Sequence, residues 1–154
     1  MVKKIPLTQG KFALVDDEDF EYLMQWKWYF NCGYAKRCAR MLEKEMGLPY
    51  TLAMHRQILP CHKGYTVDHI NRNGLDNRKC NLRIATYSQN FANSAERTGK
   101  YKGISRQGNK WRAEITVNHH RKKIGFFDTE EEAAKAYNDA AIKYFGDFAH
   151  LNIV

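Results

Sequence analysis

Trp111-Arg112-Ala113-Glu114-Ile115-Thr116-Val117 alternates apolar and polar side chains without a break. Period two is the spacing of a strand with one buried face, because successive side chains leave a pleated backbone on opposite sides. Asn118-His119-His120 then reads as a turn. A second strand follows, with Lys122, Ile124 and Phe126 on one face and Arg121, Lys123 and Gly125 on the other. Thr129 with Glu132 three residues later is a capping box, which opens a helix. Ala133, Ala136, Tyr137, Ala140, Ala141 and Tyr144 recur at three and four, so they share one helical face, and Gly146 stops it. The small alanines predict close packing of this helix on the apolar side of the strands. Parity then turns Arg112, Glu114 and Thr116 outward beside Arg121 and Lys123. Such a face suits the major groove of duplex DNA, and it is also what the solvated side of an antiparallel sheet carries.

Upstream, the polar residues 94–100 read as a linker. Before them lies a loop-rich segment, 55–93, with His55-Arg56, Val67-Asp68-His69-Ile70-Asn71, Leu75-Asp76-Asn77-Arg78, Asn81-Leu82-Arg83 and Gln89-Asn90. Asn and Asp side chains bond backbone groups in turns, which accounts for most of this density. It does not account for an acid and an imidazole side by side between Val67 and Ile70. That alternation predicts a short strand with Asp68 and His69 on opposite faces. The run from Asn81 to Asn90 predicts a short helix or turn that returns Asn90 toward the acid.

The composition bounds the function. The 154 residues carry 25 Lys+Arg against 17 Asp+Glu, a net charge of +8, and 44% are hydrophobic. That excludes a disordered chain and favours an acidic partner, of which nucleic acid is the commonest. No run reaches the roughly 18 apolar residues of a spanning helix, and Met1 through Gln9 hold no apolar block of signal-peptide length, so export is not expected. The expectation is a monomeric protein of the cytoplasm of a bacterial or phage-infected cell, with no membrane partner and no small-molecule cofactor. Cysteines at 32, 38, 61 and 80 have no C-x2-C spacing and read as reduced, buried small side chains. Trp26 and Trp28 read as core. His62, His119, His120 and His150 read as surface or packing residues.

An acid and an imidazole side by side suit hydrolysis, which needs a water stripped of a proton and a leaving oxygen whose charge is stabilised. An imidazole with an ordinary pKa of about 6.5 suits the first task near neutrality. Hard oxygen ligands from Asp and Asn suit Mg2+ or Mn2+ for the second.

Two family resemblances extend this reading. Tyr101-Lys102-Gly103-Ile104-Ser105, Lys110 through Ile115, Ile124-Gly125-Phe126-Phe127, Thr129 through Ala141 and Leu151-Asn152 resemble an AP2 DNA-binding domain over roughly residues 99–152. The resemblance implies three strands and one helix, with DNA contacts at Arg106, Glu114, Thr116, Arg121 and Lys123. Arg112 joins them by parity. Two contact tryptophans of the plant domains are absent here, one within Gln107-Gly108-Asn109 and one at Lys123, so their target sequence does not carry over. Asp68, His69, Asn81 and Asn90 match in order and spacing an HNH endonuclease of the phage and intron homing type, in which an Asn replaces the final His. Ala13 through Asp17, Trp28 and Tyr34-Ala35 resemble the N-terminal module common in such phage proteins. The implied fold class is α+β: a ββα-metal (His-Me finger) nuclease domain over 1–93, the linker, and an AP2-like domain over 101–154.

The implied roles are His69 as general base, Asp68 and Asn90 as ligands of one Mg2+ or Mn2+ ion, and Asn81 as the residue that locks the loop and aims His69. Asn77 is the alternative for that last role, and spacing does not fully separate the two. Arg72 and Arg83 are candidate phosphate clamps, and His55 is open for a part at the site. The expected activity is a metal-dependent DNA endonuclease, nicking from a single motif, with double-stranded DNA as partner. The alternative is a DNA-binding regulator whose nuclease domain has decayed.

Overall fold

A computed structural model describes residues 1–95 and 99–154. The expected linker, 94–100, thus falls partly outside the described residues, at 96–98. The chain forms two compact units, Met1–Ile84 and Ala85–Val154. Among the described residues it is a mixed α/β protein of small sheets and five α-helices.

In the first unit, β1 (Val2–Pro6) and β2 (Phe12–Asp16) form an antiparallel hairpin, with Ile5 opposite Ala13. α1 (Asp17–Leu23) follows directly, with three acidic residues in its first turn, where the helix dipole favours them. β3 (Tyr29–Asn31), β4 (Tyr34–Cys38) and β5 (Thr51–Ala53) make a second sheet, order β3-β4-β5. α2 (Met41–Glu45) lies between its last two strands, and α3 (Met54–Ile58) follows β5. The core gathers Ile5, Ala13, Val15, Leu23, Trp28, Ala35 and Met54. Trp26 packs beside it, under the Arg37 guanidinium at 4.4 Å from the ring centroid. Arg37 is buried because Glu43 neutralises it and the indole covers it. β6 (Tyr65–His69) pairs with β7 (Leu82–Thr86), the strand in which one unit gives way to the next.

In the second unit, α4 (Tyr87–Asn93) opens on a capping box of Thr86 and Gln89. β8 (Ile104–Gln107), β9 (Lys110–Val117) and β10 (His120–Phe127) form an antiparallel sheet of order β10-β9-β8, and α5 (Glu130–Phe145) packs on it. The β9–β10 turn is Asn118-His119, both at positive φ (49° and 66°), as a two-residue hairpin requires. Thr129 and Glu132 make the expected reciprocal cap at 3.2 Å. Gly103, at φ 75°, admits the helix: a Cβ there would stand 2.3 Å from the Tyr137 ring.

Three expectations change. A bulge between Lys123 and Gly125 inserts Ile124 as an extra residue, so Phe126 stands opposite Arg112 on the outward face instead of sharing a face with Lys122. The buried stripe of α5 is Ala133, Ala134, Tyr137, Ala141 and Phe145, while Tyr144 is exposed under the Lys122 ammonium. Cys32, Cys38 and Cys80 are exposed and Cys61 is half-buried. The first three occupy a hairpin turn, a strand end and a 3-10 turn, where the side chain leaves the core.

Candidate active site and nucleic-acid face

β6 is buried from Thr66 onward and ends on Asp68 and His69, which are 4% and 6% exposed. The loop after it, 70–81, is built from amide hydrogen bonds. Asn71 Oδ1 accepts from Asn73 N (2.9 Å), and Asn73 Oδ1 accepts from Leu75 N (3.1 Å), two successive Asx turns. Arg72 takes φ 64°, and its N–H donates to His69 O. Asn81 closes the loop: its Oδ1 accepts from Asn71 N (3.0 Å) and its Nδ2 donates to Asp76 O (2.7 Å). The Asp76 carboxylate takes a forked pair of bonds from Arg78 and a third from Asn71. Arg78 above all holds the Asp76 carboxyl below its usual range.

The far side of the loop is tied to β2. Leu14 N donates to Leu75 O and Asn77 N donates to Leu14 O, each at 2.8 Å. Asn77, 0% exposed, is thereby carried under His69, and its Oδ1 lies 3.2 Å from His69 Nε2. Asn81 therefore locks the loop, and Asn77 touches the imidazole. A carbonyl oxygen only accepts, so this bond places the proton on Nε2 and the basic lone pair on Nδ1. Burial pushes the His69 imidazole below its ordinary value of 6.5, against the Asn77 bond and the charges of Asp68 and Asp76, which raise it.

Two further aromatic rings stand at His69. His55, buried on α3, meets it edge-on with ring centroids 5.0 Å apart. Tyr34, half-exposed on β4, lies 5.8 Å from His69 and 5.4 Å from His55. Gly74 presses the loop against Tyr34: a Cβ there would stand 2.6 Å from that ring. Burial and the neighbouring cations and His69 lower His55 to about 3, so it is a neutral imidazole. His55 Nδ1 and Asn77 Nδ2 are buried with no partner among the described residues.

Arg83 does not stand as an open clamp. Its Nε donates to Asp68 Oδ2 at 2.8 Å. Arg72 is exposed on the loop. Asn90 is exposed on α4, in the second unit. Among the described residues, no group of three or more His, Cys, Asp and Glu is arranged to hold a metal ion. No helix among them is long and apolar enough to cross a membrane.

On the sheet of the second unit, the register sets Thr116 opposite Arg121, Glu114 opposite Lys123 and Arg112 opposite Phe126, so these six share the outward face. Glu114 pairs with Arg112 (3.2 Å) and Arg121 (3.8 Å). Arg106 stands opposite Trp111, on the other parity, with its guanidinium 6.0 Å from that ring. Ser105 takes the place beside Arg112. Sequence reasoning missed Phe126, Tyr34 and Arg83's pairing. Only the first left a signal, an aromatic directly after a glycine in a strand, where bulges concentrate.

Residues 59–92 match the family model of the HNH endonucleases. An uncharacterized HNH endonuclease of Acanthamoeba polyphaga mimivirus is 33% identical over 146 residues, 94% of this chain and 76% of that one. Plant proteins match part of the chain toward its C-terminus. An AP2/ERF and B3 domain-containing protein of Oryza sativa subsp. japonica is 41% identical over 66 residues, 18% of its length. Dehydration-responsive element-binding protein 2D of Arabidopsis thaliana is 48% identical over 56 residues, 27% of its length. With a family model seated on the Asp68–His69 segment and a viral relative matched along most of both chains, this protein belongs to the HNH endonuclease family and is a nuclease.

Proposed function

We propose that the chain is a metal-dependent DNA endonuclease of the homing type, which nicks duplex DNA with His69 as general base. The observation that carries this reading is the buried contact between Asn77 Oδ1 and His69 Nε2, one residue from Asp68. It orients a neutral imidazole with Nδ1 as its basic nitrogen. In this role His69 Nδ1 takes a proton from the attacking water, and Asn77 fixes the ring and its tautomer. Asn81 acts through the loop backbone as a positioning residue.

HNH nucleases typically use a divalent metal ion. The residues here fit one: Asp68 is a buried carboxylate next to His69, and carboxylate and amide oxygens are hard donors. Asp68 and Asn90 would hold Mg2+ or Mn2+, one ion per site. When bound, that ion polarises the scissile phosphate and stabilises the leaving 3′-oxygen. Arg72 and Arg83 serve the DNA backbone.

Targeting falls to the AP2-like domain, 101–154, joined by the linker 94–100 to the ββα-metal nuclease domain, 1–93. Arg112, Glu114, Thr116, Arg121 and Lys123 read the duplex from the outward face of the sheet, while Arg106 contacts it from the β8–β9 end. The protein works as a monomer in the cytoplasm of a bacterial or phage-infected cell.

The test is digestion of supercoiled plasmid with a series of divalent ions. Wild-type protein should nick with Mg2+ or Mn2+ and stop on chelation. His69→Ala should bind the same DNA and lose cutting at least 1,000-fold, roughly the upper range of general-base effects. Equal cutting by both proteins would overturn the assignment. Binding by the wild type without cutting in any ion would leave a DNA-binding regulator.

A further inference from the structure

The sequence offers Arg83 to a DNA phosphate, and the structure gives it to Asp68. The guanidinium Nε lies 2.8 Å from Oδ2, and both side chains are largely buried, at 16% and 5% exposure. A cation beside a buried carboxylate offsets the cost of taking that charge out of water, and Arg83 supplies one to Asp68. A divalent ion on the same carboxylate would sit within a few ångströms of that guanidinium, and two cations at such range in a buried site repel strongly. Arg83 and the ion are therefore rivals for Asp68. A guanidinium fork matches phosphate as well as it matches carboxylate, so the DNA backbone can take Arg83 without leaving a buried charge unpaired.

We propose that Arg83 is a transferable counter-ion: it neutralises Asp68 until a DNA backbone phosphate draws the guanidinium away, and that transfer opens the carboxylate to the divalent ion. The inference rests on Asp68 being a metal ligand. Its consequence is that ion and DNA bind cooperatively, and that the protein without DNA holds the ion weakly. Arg83 is then a positioning residue for the site, with one place at Asp68 and another at the substrate.

Mn2+ binding followed by electron paramagnetic resonance tests this without reference to cleavage. The full chain is used, with His69→Ala as background so that an added duplex stays whole. Arg83→Gln should bind Mn2+ at least tenfold more tightly than its parent when no DNA is present. A short duplex should tighten Mn2+ binding at least tenfold in the parent and much less in Arg83→Gln, after subtraction of Mn2+ bound by the duplex alone. Equal or weaker Mn2+ binding by Arg83→Gln overturns the proposal. Arg83→Met repeats the comparison should the glutamine variant fail to fold, judged by near-ultraviolet circular dichroism. The parent arm needs no arginine variant, and a duplex that leaves Mn2+ affinity unchanged overturns the proposal by itself. Asp68→Asn separates the two layers. With duplex present, Mn2+ binding as tight as the parent's in that variant removes Asp68 as ligand, and the inference falls with it.

Discussion

The 70–81 loop and the helix-covered sheet are held together by opposite means. α5 lies on β9 through alanines and aromatics, with Tyr137, Ala141 and Phe145 around Ile115, so that assembly is governed by volume and shape. The loop's main hydrocarbon contact with the core is Leu75, and its shape is set by polar bonds. Asn71, Asn73, Asp76 and Asn81 hold it by bonding its backbone and one another. A packed face degrades gradually as methyl groups are lost, whereas a polar network fails when one member leaves buried donors without acceptors. The two regions should therefore break under different substitutions.

The largest effect should come from filling the space that the sheet leaves for α5. Gly103→Ala places a Cβ 2.3 Å from the Tyr137 ring and 2.6 Å from Glu114 O, at a φ of 75° that an alanine resists. Overpacking and the left-handed backbone together should cost about 3 kcal/mol or more, read by denaturant unfolding. A loss under 1 kcal/mol would mean that the helix-to-sheet contact is looser than its geometry. In the loop, Asn81→Ala removes no comparable volume but strands Asn71 N and Asp76 O. A loss of about 2–3 kcal/mol is expected, at one unpaired group each. Nicking should fall with it, since Asn71 and Asp76 no longer hold the turn beyond His69. Asn81→Ala with unchanged stability would show that the loop is not a network.

The same contrast explains what could be read from residues alone. Period two and a capping box announced β9, β10 and α5, because a half-buried strand and an amphipathic helix write their burial into residue spacing. The bulge at Ile124 escaped, since one inserted residue leaves the pattern intact until Phe126 and is defined only by the partner strand. The face of Arg106 escaped for the same reason: its parity follows from the register across the β8–β9 turn. Strands of three to five residues in the first unit are too short to show a period. At the site, spacing set Asp68 beside His69 but could not choose between Asn77 and Asn81. That choice depends on β2, which binds the loop at Leu75 and Asn77 from some sixty residues away in the chain.

A smaller effect comes from His55, a neutral imidazole enclosed at the site. Its pKa is about 3 in the fold and 6.5 in the unfolded chain. Below pH 6.5 the unfolded state takes up a proton that the folded state refuses, so this residue costs stability as the pH falls from 6.5 toward 3. Between pH 7 and pH 5 the loss is about 2 kcal/mol. Denaturant midpoints of wild type and His55→Phe at the two pH values should differ by that much in their pH dependence. Identical slopes would mean that His55 titrates normally. His69 shifts in the same direction, so nicking should reach its plateau at a pH below that expected of an ordinary histidine. A midpoint above 6.5 would count against a buried His69 base.

The smallest effect tests the outward face of the sheet. Phe126 is 44% exposed among cations, with the Lys123 ammonium 4.0 Å from its ring centroid and Arg112 opposite. An exposed aromatic ring contributes little to folding, so Phe126→Ala should leave unfolding within about 0.5 kcal/mol of wild type. Against DNA it offers an apolar surface between positive charges, the arrangement that suits a thymine methyl group. Binding should weaken by roughly 1 kcal/mol on alternating dA–dT duplex, within the range for one base contact. On the matching dA–dU duplex, which lacks the methyl groups, wild type and variant should bind alike. A phosphate contact behaves differently: should Arg121 make one, Arg121→Ala weakens both duplexes equally and flattens the salt dependence. If Phe126→Ala also weakens both duplexes equally, the ring only supports Lys123, and this face then recognises charge without reading a base.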